Sequence, residues 1–257
     1  MNPSDNESVI NPVKGKSAPD VGPLAVMVSG EADLAALHRA LGFPDNGGKK
    51  LMLSRVYAAS DKYPGLSLAG PAVGAPYAVL LLETLICWGA RRILYFGSCG
   101  AISTKVAIGD VILPDGAVVD EGASTHYAPA IAGKTVVPSA GMVDVLRGEL
   151  VSAGLSFHEG PIWTTDAIYR ETRGKVARFQ AAGVLGVEME LSALWTVAHY
   201  RGAEAGGLLV ASDELSDFTW KPGFKDDRFK AGRAAAIEVI DAVCRRMTGP
   251  WEDRNIS

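Results

Sequence analysis

Cysteine is scarce in this chain, with three in 257 residues: Cys87, Cys99 and Cys244. They are scattered and odd in number, with no C-x-x-C pair and no histidine at zinc-ligand spacing. That pattern excludes a disulfide framework and a thiolate zinc site, and leaves reduced core thiols. Long apolar runs are also missing: none reaches the roughly 18 residues that a membrane helix needs, so no membrane partner is expected. Positive charge is not in excess, with 25 Lys and Arg against 29 Asp and Glu and a formal net charge of -4. No local basic patch offsets this balance, so no nucleic-acid partner is expected. The first 20 residues lack the apolar stretch of a signal peptide and are rich in Asn, Ser, Pro and Lys. Residues 1–22 therefore read as a flexible tail ahead of a domain over residues 23–250, in a cytoplasmic protein. Neither an internal repeat nor a low-complexity tract is present.

What is present is ordinary globular material, 48% hydrophobic and 21% charged, long enough to bury a full core. Apolar runs of strand length alternate with helical patterns through most of the chain. The expectation is one α/β domain with a central mixed β-sheet flanked by helices. Leu24 to Ser29 reads as a buried strand, Gly30 as a tight turn, and the following EADLAALHRAL as a helix closed by Gly42. Backbone N–H groups at that helix start would suit an anion. Two runs between Lys50 and Gly70 read as a hairpin, and Tyr77 to Trp88 as a strongly apolar helix ended by Gly89.

Arg92 to Phe96 is a further buried strand, stopping at Gly97-Ser98-Cys99-Gly100. Two glycines around a small hydroxyl residue permit close backbone approach to a ligand; a plain tight turn would look the same. Strand signals at Ile108 to Pro114 and Ala117 to Val119 lead into a polar loop carrying His126, more often a locally bonded side chain than a catalyst. Met142 to Ala153 and Arg173 to Ala182 read as helices, with a strand from Phe157 to Thr164 between them. In the loop after that strand, Ile168 and Tyr169 would face a flat heterocycle or belong to the core.

Gly183 to Leu215 organises the rest. A strand at Val184 to Val187 meets Glu188-Met189-Glu190, which open a helix with apolar positions Leu191, Leu194, Trp195 and Ala198. Next comes a buried strand, Gly207 to Ala211, that delivers Ser212 and Asp213 at its C-terminal end, where open α/β sheets bind ligands. A Pro/Gly-broken segment, Ser216 to Phe229, is long enough for a lid, and a helix from Phe229 to Met247 ends the pattern.

These residues resemble the nucleoside phosphorylases of the trimeric and hexameric class, which includes uridine phosphorylase and bacterial purine nucleoside phosphorylase. The resemblance is carried by GAP at Gly74 to Pro76, GSCGAI at Gly97 to Ile102, IGDVILP at Ile108 to Pro114, EGASTHYAP at Glu121 to Pro129, TTDAIY at Thr164 to Tyr169, GVEME at Gly186 to Glu190 and SDEL at Ser212 to Leu215. It implies cleavage of the N-glycosidic bond of a ribonucleoside by phosphate, with free base and ribose 1-phosphate as products. No cofactor or metal is implied beyond phosphate as co-substrate.

By the same resemblance Glu190 grips the ribose hydroxyls, Met189 packs under the sugar and Glu188 lies beside them. Asp213 is the acid at the purine N7, with Ser212 next to it, and Ile168 and Tyr169 wall the base. Gly30 and Ser98 contact phosphate. Two arginines of the family pattern are absent, with Leu34 and Tyr95 in their places; Arg55, reaching in from a neighbouring subunit, is one candidate to replace them, and Lys225 or Arg228 are others. EGASTHYAP resembles the uridine enzymes and Ser212-Asp213 the purine branch; the uracil-reading Gln and Arg have only Thr172 and Arg173 near their places, so a purine is favoured. Loss of both arginines motivates an alternative, a nucleosidase that uses water, for which Glu31 stands near the first-strand loop but out of the matching position. A nucleoside-binding protein without turnover is a third reading. The implied assembly is a homo-oligomer of dimers, up to a hexamer, serving nucleoside salvage.

Overall fold

A computed structural model describes residues 8–45 and 47–248. The expectations for residues 1–7 of the tail and for 249 and 250 of the domain lie outside the described residues. β1 (Leu24–Val28) is buried throughout, and its side chains alternate between two cores: Ala25 and Met27 join one, Leu24, Val26 and Val28 the other. This is the period of two of a strand covered on both faces. α1 (Glu31–Ala40) follows, and then the short antiparallel strands β2 (Lys49–Leu51) and β3 (Ser54–Ala58). β3 pairs antiparallel with β4 (Leu66–Gly70), as a hairpin reading requires, and β4 lies parallel to β1.

The apolar helix α2 (Ala75–Trp88) begins two residues earlier than its pattern, with Pro76 in its first turn. The missing N–H of a proline costs nothing there. β5 (Arg92–Ala101) runs through the Gly-Ser-Cys-Gly stretch instead of ending before it. β6 (Val111–Asp120) joins the two expected strand runs into one, with a register shift between Pro114 and Gly116. The remaining elements are α3 (Ala123–Tyr127), β7 (Thr135–Val136), α4 (Ala140–Ser152), β8 (Phe157–Thr165), α5 (Arg173–Ala181), β9 (Gly186–Glu188), α6 (Leu191–Arg201), β10 (Glu204–Glu214), β11 (Lys221–Pro222) and α7 (Asp227–Thr248).

The sheet is mixed. β5 pairs parallel with β1 and β10, β6 parallel with β8, and β8 parallel with β9; β6 meets β10, and β9 meets β5, antiparallel. β5, β10, β6, β8 and β9 thus close into a ring, and β1, β4, β3 and β2 extend from β5 as an open wing. One face carries α2 and α6, packed on each other, and the opposite core holds side chains of α1, α4 and α7. No helix among the described residues is long and apolar enough to cross a membrane.

Part of the expected loose tail is tied down. The Val13 carbonyl accepts from the Trp88 indole at 3.1 Å, and Lys14 donates to the Trp88 carbonyl at 3.0 Å. A helix C-terminus has unpaired carbonyls and a buried indole needs an acceptor, and these residues supply both.

Candidate functional site

The C-terminal ends of β5, β9 and β10 meet around a cavity of about 470 Å³, lined among others by Ser98, Glu188, Met189, Glu190, Ser212 and Asp213. That volume suits a small-molecule ligand. Gly100 allows the approach: a Cβ there would stand 2.6 Å from Leu215 Cδ1 and 3.1 Å from Asp213 Oδ2.

Glu190 is 4% exposed and directly precedes α6. Its Oε1 accepts the Gly74 N–H at 2.6 Å and its Oε2 accepts the Tyr95 hydroxyl at 2.7 Å. A carboxylate has about four lone-pair sites, so both oxygens can still accept from a ligand. Burial pushes the Glu190 carboxyl up, against the two donors that favour its charged form. Tyr95, fully enclosed, is held protonated first by burial and then by the charges of Glu190 and Glu188; it is a donor and not a cation.

Glu188 has a different job. The sequence places it at the helix start, but it ends β9, three residues ahead of α6, and its Oε2 accepts the N–H groups of Glu190 at 2.7 Å and Leu191 at 2.8 Å. Its Oε1 meets the Thr164 hydroxyl. The side chain caps α6 from inside the sheet. Burial, then the charge of Glu190, pushes its carboxyl up to about 8.

Asp213 follows a register shift between Ala211 and Asp213 in the pairing of β10 with β5. The irregularity turns the strand end toward the cavity. Asp213 Oδ1 accepts the Ser212 hydroxyl at 2.6 Å, and Oδ2 accepts the Trp220 indole N–H at 2.9 Å. Trp220 and Phe224 bring the segment expected as a lid to the cavity, where β11 pins it antiparallel to Asp213 and Glu214.

Ile168 and Tyr169, 53% and 97% exposed, line the cavity from a 3-10 turn, Ile168–Arg170, and so are not core. Glu171, just past that turn, lines it too. Its carboxyl is pushed up to about 7, first by burial and then by the charge of Asp213. Nothing in the sequence signals Glu171 beyond its place near Tyr169, and nothing marks the Tyr95 hydroxyl as a partner of Glu190.

Phosphate-side residues are not gathered in the same way. Ser98 and Ser29 line the cavity, whereas Gly30 caps α1 beside it, with Asp33 Oδ2 2.9 Å from where a Gly30 Cβ would stand. Asp33 is buried and held by Arg233, whose Nε donates to Oδ1 at 2.8 Å. A carboxylate therefore already occupies the start of α1. Leu34 is core, and Arg55 lies on β3 donating to the Gly47 carbonyl at 2.5 Å, away from this chain's cavity. Arg228 is paired with Asp226, and His126 is exposed on α3 beside a different hollow. The cavity lining holds four acids, Glu171, Glu188, Glu190 and Asp213, and no Lys, Arg or His.

A sequence model of the Phosphorylase superfamily matches residues 26–247. The chain is 31% identical over 194 residues, 74% of its length and 80% of the relative, to a purine nucleoside phosphorylase DeoD-type of Bacillus cereus. It is 28% identical over 173 residues, 67% of its length and 71% of the relative, to the guanosine phosphorylase of Halorubrum lacusprofundi. A crystal structure of uridine phosphorylase from Vibrio fischeri ES114 superposes with a TM-score of 0.68, covering 88% of this chain and 93% of that one at 23% identity. At that identity the superposition speaks for the fold.

Proposed function

The chain belongs to the Phosphorylase superfamily, and from that premise we propose that it cleaves the N-glycosidic bond of a purine ribonucleoside, with phosphate as the acceptor. The observation that carries this reading is the gathering of Glu190, Met189 and Asp213 in one cavity of nucleoside size. In the reaction the C1′–N9 bond breaks and its electron pair goes to the base. Asp213 delivers a proton to N7, which makes the base a better leaving group. Glu190 holds the ribose hydroxyls while positive charge builds on the sugar, and a phosphate oxygen forms the new bond to C1′. A purine is favoured because the resemblance makes Asp213 the acid on the base side, while Thr172 caps α5 and Arg173 lies over the Phe218 ring, so neither lines the cavity. Relatives named for purine nucleosides and guanosine point the same way.

The cation that a phosphate dianion requires comes, on this reading, from a second copy of the chain, with Arg55 as the donor. Val73, Leu80 and Tyr200 are exposed apolar residues at or near α2 and α6 that such a homo-oligomer would cover. The setting would be nucleoside salvage in the cytoplasm. The four acids and the missing cation favour one second reading, hydrolysis by water. Incubating the protein with nucleosides at increasing phosphate, and following free base by chromatography, separates the two. Release that rises with phosphate and saturates is the expected result; release indifferent to phosphate assigns hydrolysis, and binding without release rejects both.

A further inference from the structure

Tyr95 stands where an arginine of the family pattern is absent, and it reaches the cavity only through its neighbours. It is 1% exposed and does not line the cavity, while its hydroxyl donates to Glu190 Oε2 at 2.7 Å. The Ser29 side chain bonds the same phenol oxygen. Gly97 makes room for this meeting, since a Cβ there would stand 3.0 Å from Ser29 Oγ and 3.0 Å from Tyr95 Oη. Ser29, Tyr95 and Glu190 therefore form a chain behind the wall, and both of its ends, Ser29 and Glu190, line the cavity.

Each hydroxyl has one proton to give, and an ionised carboxylate has none. With the Glu190 carboxylate at one end, Tyr95 has to donate to it, and Ser29 then has to donate to Tyr95. The single Ser29 proton is committed inside the wall. Ser29 consequently meets the cavity with lone pairs alone.

We propose that Tyr95 is a positioning residue for the acceptor ion: it turns Ser29 into a hydrogen-bond acceptor, so that the oxyanion taken beside Ser29 and Ser98 is one that carries a proton. This rests on the cavity being a phosphorolytic site. At neutral pH phosphate keeps at least one P–OH, which donates to Ser29 Oγ. Sulfate has the same tetrahedral shape and the double charge of the phosphate dianion, but it has no proton, and it sets a bare oxygen against the Ser29 lone pairs. A cation from a second copy would attract the two dianions alike. Discrimination between them therefore falls to the hydroxyl chain, because a site built around a hydrogen bond rejects the analogue that lacks the hydrogen.

The test uses the full chain and measures dissociation constants of inorganic phosphate and inorganic sulfate by titration calorimetry at pH 7 and constant ionic strength, for the native protein, Tyr95→Phe and Ser29→Ala. The native protein is expected to bind phosphate about tenfold or more tightly than sulfate. Tyr95→Phe frees the Ser29 proton to turn toward the ligand, so sulfate should gain and the ratio should narrow several-fold. Ser29→Ala should narrow it from the other side, by weakening phosphate and not sulfate. A merely structural role would weaken both ions equally and leave the ratio alone, and thermal melting shows that the variants are folded. Sulfate bound as tightly as phosphate by the native protein, or a ratio unchanged in Tyr95→Phe, overturns the proposal while leaving phosphorolysis intact. Neither ion binding, or base release indifferent to phosphate, overturns the phosphorolytic reading itself, and this inference with it.

Discussion

Asp213→Asn is expected to slow release of a purine base about a hundredfold to ten-thousandfold, the usual worth of a positioned general acid. Nucleoside binding should change by less than about tenfold, because most binding contacts stay in place. The asparagine keeps the shape of the side chain and one oxygen to accept from Ser212, but it has no proton to give to N7. The geometry adds a second effect: Oδ2 also accepts the Trp220 indole N–H, so a base that engages this oxygen changes the surroundings of that indole. Trp220 is 60% exposed, which lets it move without disturbing the core. Single-turnover base release measures the first effect, and tryptophan emission during nucleoside titration, lost in Trp220→Phe, reports the second. An unchanged rate in Asp213→Asn would remove Asp213 from the chemistry.

What the sequence makes legible is mostly local. Alternating strand and helix patterns carry the α/β class, and short motifs place Glu190, Met189, Ser212 and Asp213 at strand ends, where the structure gathers them. What stays hidden depends on contacts between distant residues. Closure of the five-strand ring rests on β9, only three residues long, too short to reveal its partners by periodicity. Tyr95 reads as a lost arginine; its partnership with Glu190 spans 95 positions. Asp33 reads as one acid in a helix start, and only its pairing with Arg233, 200 residues on, shows that the carboxylate is turned inward. The two glutamates of the GVEME stretch are indistinguishable as letters. The first ends a strand and caps α6, while the second is bonded from outside the helix by Gly74 and Tyr95.

That division of labour makes Glu188→Ala a strongly destabilising change. It strips acceptors from the buried N–H groups of Glu190 and Leu191 and from the Thr164 hydroxyl. Buried donors left without partners cost about 1–3 kcal/mol each, so a loss of about 3–5 kcal/mol is expected, a drop in Tm of roughly 10 °C for a chain of this size. Glu188→Gln keeps an acceptor for the helix start and should lose much less. The two variants also separate the cap from the charge. In the native protein the carboxyls of Glu188 and Glu190 are both raised from the ordinary 4.5, Glu188 to about 8. A group that holds its proton more tightly when folded contributes stability that is whole below the unfolded value and is lost as pH climbs through the folded one. Native stability should therefore fall between about pH 5 and about pH 8 as the buried pair is forced to ionise. In Glu188→Gln one of the two acids is gone and Glu190 ionises without a charged neighbour, so the fall across the same interval should shrink. Denaturant midpoints for the native protein and this variant at both ends of the interval measure it; parallel pH profiles would show that the pair does not hold the proton.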